Sequence, residues 1–293
     1  MALKIAVSGA GGYVGSCIAE FLENKGAEVI RLSSSSGSGK GSLHFSLGEP
    51  VNQESLSGID ALVHAAWDFR LTGWKDMERV NIRGSLELIR AAKRVGVRRI
   101  IFISTMSSFK GCRSMYGRAK LAVEKQAIKE GAIVLRPGLF YGKGQGGMTG
   151  TLKTVAGMLP VIPLPGGGAQ VFRFCHSDDL GELIYRLCSS DEKVQKPVVC
   201  AGEKGFTFRQ ILKMLAAEEG KNPVFIAVPA FTAFLPLRML EMIGIRTRLK
   251  SDSVIGLLYA DPKPDFAEAR RLRARFRDFG AGNKNKNNSA GRE

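Results

Sequence analysis

Histidine is scarce in this chain: 293 residues hold three, His44, His64 and His176, and none stands in an HExxH spacing, which argues against a catalytic metal. The five cysteines, Cys17, Cys112, Cys175, Cys188 and Cys200, are scattered and form no CxxC pair. Neither a zinc site nor a redox dithiol is expected, and the thiols are read as reduced. Long apolar runs are missing too. One uncharged apolar stretch, residues 222–237, falls short of the ~20 residues of a membrane span and carries Pro223, Pro229 and Pro236. It reads as a buried or lobe segment. A peripheral membrane contact, suggested by Arg238, Arg246, Arg248 and Lys250 just beyond it, is the lesser reading. Residues 1–7 run directly into a strand pattern without a leader-like segment, which points to a cytoplasmic protein.

Acidic residues are also in deficit, 27 against 43 Lys and Arg, for a formal charge of +16. Residues 262–293 alone hold nine basic and four acidic side chains. Within them Leu272, Phe276 and Phe279 recur at helical spacing, so 265–279 reads as an amphipathic helix with an arginine-rich outer face, and 280–293 as a disordered basic tail. No RNA-binding signature or helix-turn-helix pattern accompanies the charge. An anionic small-molecule substrate is therefore expected rather than nucleic acid.

What is present is ordinary for a globular chain, 44% hydrophobic and 24% charged, and long enough for one large α/β domain with a small lobe. Strand runs at 4–8, 28–32, 61–64, 99–103 and 133–136 alternate with helical periodicity, clearest over 77–95 and 115–129. That order predicts a doubly wound parallel sheet of the Rossmann type over residues 1–142. Gly- and Pro-rich loops then introduce a smaller lobe over 143–279, with some elements returning to the core. Thr207-Phe-Arg-Gln210 spells a capping box at a helix start.

Two motifs carry chemistry. Gly9, Gly12 and Gly15 follow the first strand and open an apolar helix, as a backbone must where it turns sharply beside a pyrophosphate met by helix N-terminal amides. Dinucleotide binding is expected there. At the end of the second strand an NAD enzyme usually has a carboxylate for the ribose hydroxyls; this chain has Arg31 and Ser33, then a serine-rich run to Lys40, which favours NADP over NAD. The second motif is Tyr116-Gly-Arg-Ala-Lys120. Four residues apart on a helix, the ammonium is expected to stabilise tyrosinate and to lower a phenol pKa that starts near about 10. Upstream, Ser104 and Thr105 end a strand at the sheet edge where such folds bind ligands.

These blocks, with Leu62-Val-His-Ala-Ala66, Val80-Asn-Ile-Arg-Gly84, Leu135-Arg-Pro-Gly138 and Phe174-Cys-His-Ser-Asp-Asp-Leu180, resemble the extended short-chain dehydrogenase/reductase superfamily, and within it the NAD-dependent epimerase/dehydratase family, over residues 3 to 215. The resemblance implies that Gly9, Gly12, Tyr13, Val14, Gly15, Ala65, Ala66, Asn81, Pro137 and Gly138 lie along the cofactor, with Arg31 and Ser33 at its adenosine end. It implies that Tyr116 exchanges a proton with the substrate and that Lys120 holds the nicotinamide ribose. Thr105, with Ser104 as the fallback, would hydrogen-bond the reacting oxygen. A homodimer is implied as well.

One departure narrows the chemistry: Met106 and Ser107 stand where the family's 4,6-dehydratases have Asp-Glu, so water elimination is disfavoured. The first expectation is an NAD(P)-dependent epimerase or reductase of a nucleotide-linked sugar, with Arg136, Lys143, Lys153 and Arg173 as candidates for the diphosphate rim. The alternatives are an NADPH-dependent reductase of a more apolar carbonyl compound and a dinucleotide-binding protein without turnover.

Overall fold

Runs of apolar residues build the first strands, so that both faces of each are buried. A computed structural model of the chain describes residues 2–34, 41–144, 146–229, 239 and 251–280. In its first part lie β1 (Lys4–Ser8), α1 (Tyr13–Asn24), β2 (Glu28–Ser33), β3 (Ser42–His44), β4 (Ala61–His64), the short α2 (Trp74–Asp76), α3 (Gly84–Arg94), β5 (Arg99–Ile103), α4 (Met115–Lys129) and β6 (Ile133–Pro137). The lobe begins with β7 (Leu139–Tyr141), α5 (Gly147–Met158), β8 (Val161–Pro165), β9 (Val171–Phe172) and β10 (Phe174–His176). Then α6 (Ser177–Ser189) and β11 (Val198–Cys200) return to the main sheet, followed by β12 (Phe206–Thr207), α7 (Phe208–Glu218) and β13 (Val224–Val228).

The main sheet is parallel and runs β11-β6-β5-β4-β1-β2-β3. The order of strands reverses between β1 and β4, and ligands of open α/β sheets bind outside the strand ends at such a point. Ile5, Val7, Val63, Ile101, Ile103 and Leu135 face α1 and α6; Ala6, Leu62, Phe102 and Val134 face α3 and α4. A third core, around Phe174, Phe206, Ile211 and Leu215, belongs to the lobe. α7 starts with the expected capping box, Thr207 accepting from Gln210 N–H at 3.1 Å and the Gln210 side chain accepting from Thr207 N–H at 2.8 Å.

Two expectations are corrected. Periodicity over 77–95 reads as one α-helix, but Met77–Arg83 is π-helical and only Gly84–Arg94 is α-helical. The expected helix over 265–279 shrinks to Ala267–Arg271, because Arg273 takes a left-handed φ of 50° and turns the chain. Phe279 then stacks on Phe174, centroids 3.8 Å apart and planes 9° from parallel, while Arg277 is pinned by the Asp179 carboxylate. Burial of that ring outweighs continuation of the helix. The serine-rich residues 35–40, the apolar and basic stretch 230–238 and 240–250, and the tail 281–293 lie outside the described residues. No described helix is long and apolar enough to cross a membrane.

Candidate active site

The glycine turn is shaped by close backbone approach. Gly9 has φ +74°, and a Cβ on it would lie 2.6 Å from the Cα and N of Ala66; one on Gly15 would lie 2.2 Å from the Gly9 carbonyl oxygen. The turn after β1 and the Ala65-Ala66 loop after β4 thus abut. α1 starts at Tyr13 with Gly12 as N-cap, no capping side chain and no acidic residue in its first turn. Its first amides and its dipole suit an anion, so these residues fit a dinucleotide pyrophosphate. The Tyr13 ring itself packs edge-on to Phe140 at 5.5 Å and lies against Gly146, where a Cβ would come within 2.3 Å of Cγ, which leaves its backbone as the group offered. Pro137, the last residue of β6, and Gly138 just after it hold the strand edges together: the Met106 N–H donates to the Pro137 carbonyl at 3.0 Å, and the Gly138 N–H to that of Cys200 at 3.1 Å.

Ser8 and His64, ending β1 and β4, are fully buried and hydrogen-bonded through Nδ1 at 2.6 Å. Burial, and secondarily the Lys120 charge, pushes the imidazole down to about 3. Asn81, in the π-helical segment, is buried with its amide spent on the backbone of Asp68, accepting its N–H at 2.8 Å and donating to its carbonyl at 2.9 Å. It secures the loop after β4 where a cofactor contact was expected.

That loop supplies two residues that sequence reasoning missed. Trp67 lies edge-on to Tyr116 with centroids 5.9 Å apart, and Phe69, itself 62% exposed, lies at 5.6 Å from the same ring. The signal available was two aromatics directly after a strand end. The Thr105 hydroxyl lies beside the Tyr116 phenol, near enough to favour its ionised form. Thr105 Oγ1 accepts from the Ser107 N–H at 3.2 Å, which leaves its own proton free to be donated. Ser104, the fallback, is instead committed to the Glu124 carboxylate at 2.5 Å.

The electrostatics reverse the expectation. Lys120 is 3% exposed, donates to the Ile103 carbonyl at 2.7 Å and sits 4.1 Å from the Trp67 ring centroid and 4.6 Å from that of Phe102. Burial drives its amine down to about 7, opposed by Glu124, and drives the Tyr116 phenol up to about 12, opposed by the neighbouring Thr105 hydroxyl. Desolvation disfavours the charged form of each. At neutral pH Tyr116 is a protonated donor.

The basic residues expected to meet anions have partners. Arg31 is held by Glu23 through Nε at 2.8 Å and an Nη at 2.7 Å. Among the four rim candidates, Arg136 is paired with buried Glu124, Lys143 with Glu20, and Lys153 with Glu218 and Glu219; Arg173 donates to the Glu203 carbonyl. All five cysteines are free thiols, and no metal-holding cluster occurs among the described residues.

Solved structures share this fold. A UDP-glucose 4-epimerase of Thermotoga maritima, determined with UDP-glucose, is 23% identical with a TM-score of 0.61, over 78% of this chain and 86% of that one. The UDP-glucose 4-epimerase of Thermus thermophilus, in complex with NAD, is 21% identical with a TM-score of 0.60, over 87% and 97%. Among curated proteins, the uncharacterized y4nG of Sinorhizobium fredii is 24% identical over 82% of this chain. The chain spans 66% of the length of y4nG and 26% of that of an uncharacterized Mycobacterium tuberculosis relative. The model of the NAD-dependent epimerase/dehydratase family matches residues 5–202, and the chain belongs to that family.

Proposed function

We propose that the chain is an NAD(P)-dependent enzyme that moves a hydride between a nicotinamide and a carbinol or ketone carbon, with Tyr116 as the proton donor and acceptor. The observation that carries this reading is the convergence of Tyr116 with Trp67, Phe69 and the Thr105 hydroxyl at the carboxyl edge of the sheet, beyond a glycine turn that fits a pyrophosphate. When bound, the nicotinamide accepts or supplies the hydride. In the reducing direction Tyr116 gives its phenolic proton to the carbonyl oxygen as negative charge develops there. Thr105 donates a hydrogen bond to the same oxygen, and Lys120, one turn along α4, is the residue that would hold the ribose. Trp67 and Phe69 flank the phenol ring.

A nucleotide-linked sugar is the substrate class that the epimerase names of the solved structures support, and epimerisation would return the cofactor unchanged. Met106 and Ser107 offer no acid or base for dehydration. The second reading, reduction of a more apolar carbonyl compound, is favoured by the aromatic wall beside Tyr116 and by the ion pairs that hold three of the four rim cations. NADP stays the proposed dinucleotide: an exposed Arg31–Glu23 pair is worth at most about 1 kcal/mol, which a 2′-phosphate can displace.

The test follows NADPH and NADH absorbance with UDP-sugars and, separately, with apolar ketones. Stoichiometric oxidation marks a reductase, and sugar interconversion without net oxidation an epimerase. Tyr116→Phe is expected to lower kcat by about a hundredfold or more while cofactor still binds. Unaltered turnover in that variant would remove the assignment.

A further inference from the structure

Tyr116 is the second residue of α4, so its placement depends on how the first-turn amides of that helix are held. Ser114 caps one of them, accepting the Gly117 N–H at 3.1 Å. The two preceding amides are met from far along the chain. Asp252, in the Ser251–Leu258 helix of the C-terminal lobe, accepts the Met115 N–H at 2.6 Å with one carboxylate oxygen and the Tyr116 N–H at 2.9 Å with the other. Two contacts keep that helix in place. The Arg113 guanidinium lies 4.1 Å over the Tyr259 ring, and Gly256 is close enough to Ser114 that a Cβ there would be 3.8 Å from the Ser114 Cβ.

We propose that Asp252 is a positioning residue for Tyr116, through which the C-terminal lobe holds the helix end that carries the proton donor. The inference deepens the reading of Tyr116 as donor and rests on it. A carboxylate suits this place because it offers two acceptors and places negative charge at the positive end of a helix. An amide of the same shape has one acceptor and turns its NH2 toward an N–H, so Asp252→Asn loses one bond and the charge. Asp252→Ala loses both bonds. Asp252→Glu keeps both acceptors at a longer reach.

The experiment uses the full chain and reads amide hydrogen exchange by NMR beside turnover. In Asp252→Ala the Met115 and Tyr116 amides are expected to exchange about tenfold faster or more, while amides deeper in α4, such as that of Val123, keep their protection. NADPH affinity, read from nucleotide fluorescence, should stay within about twofold, and kcat should fall about tenfold or more without a matching rise in KM. Asp252→Asn should lie between wild type and Asp252→Ala in both readouts, and Asp252→Glu should recover part of the loss. If Asp252→Ala does not fold, the same comparison is made with Asp252→Asn. Unchanged exchange at Met115 and Tyr116, or faster exchange with full kcat, overturns the proposal. A Tyr116→Phe chain that turns over like wild type overturns the donor assignment separately, because the exchange result does not depend on it.

Discussion

Tyr116 and Lys120 show how far a motif specifies its own chemistry. Their spacing puts both on one face of α4, yet the ammonium is spent on the Ile103 carbonyl and the Trp67 ring, and burial decides both ionisations. His64 obeys the same rule at a neighbouring strand end. Its folded pKa of about 3 lies below the ordinary 6.5, so below pH 6.5 the unfolded chain binds a proton that the folded one refuses. Stability contributed by this residue is therefore present above pH 6.5 and lost as pH falls toward 3. Urea unfolding of wild type at pH 5 should show about 2 kcal/mol less stability from this source than at pH 7. His64→Gln should flatten that difference; an equal pH dependence in the two proteins would refute it.

At the scale of elements, a buried carboxylate joins α4 to the sheet. Glu124, its side chain 2% exposed, accepts from Ser104 after β5 and from Arg136 of β6, so three consecutive pieces of the fold meet in it. Removing one member of such a pair strands the other. Glu124→Ala should cost about 3 kcal/mol in denaturant unfolding, whereas Glu124→Leu with Arg136→Met should recover most of that loss. A double variant no better than the single would contradict this account. The strands and α4 were legible because apolar residues recur at the period each element imposes, as in Ile5, Val7 and their partner Ala6. The π-helical turn at Met77–Arg83 was not, because its residues keep helical periodicity while a backbone detail, with Asn81 fastened to Asp68, sets the winding.

Over the whole molecule, the C-terminal segment closes the lobe. Phe279 is 8% exposed and touches Phe174, Tyr141 and Phe206, all on lobe strands. Phe279→Ala should lower stability by about 3 kcal/mol and speed proteolysis between residues 272 and 279. A chain equally stable and equally resistant would show the stack to be incidental. The basic excess also takes its meaning at this scale: Arg31, Arg136, Lys143 and Lys153 each face a carboxylate in space that is not adjacent in sequence. By itself the sequence determined the alternating α/β order, the glycine turn, the capping box and the family, because these depend on residues within a few positions of one another or on ordered motifs. Only the tertiary structure decided the burial of Lys120, the commitment of Ser104 to Glu124 and the capping of α4 by Asp252. Burial and hydrogen bonding between residues up to 137 positions apart have no periodicity for a sequence to display.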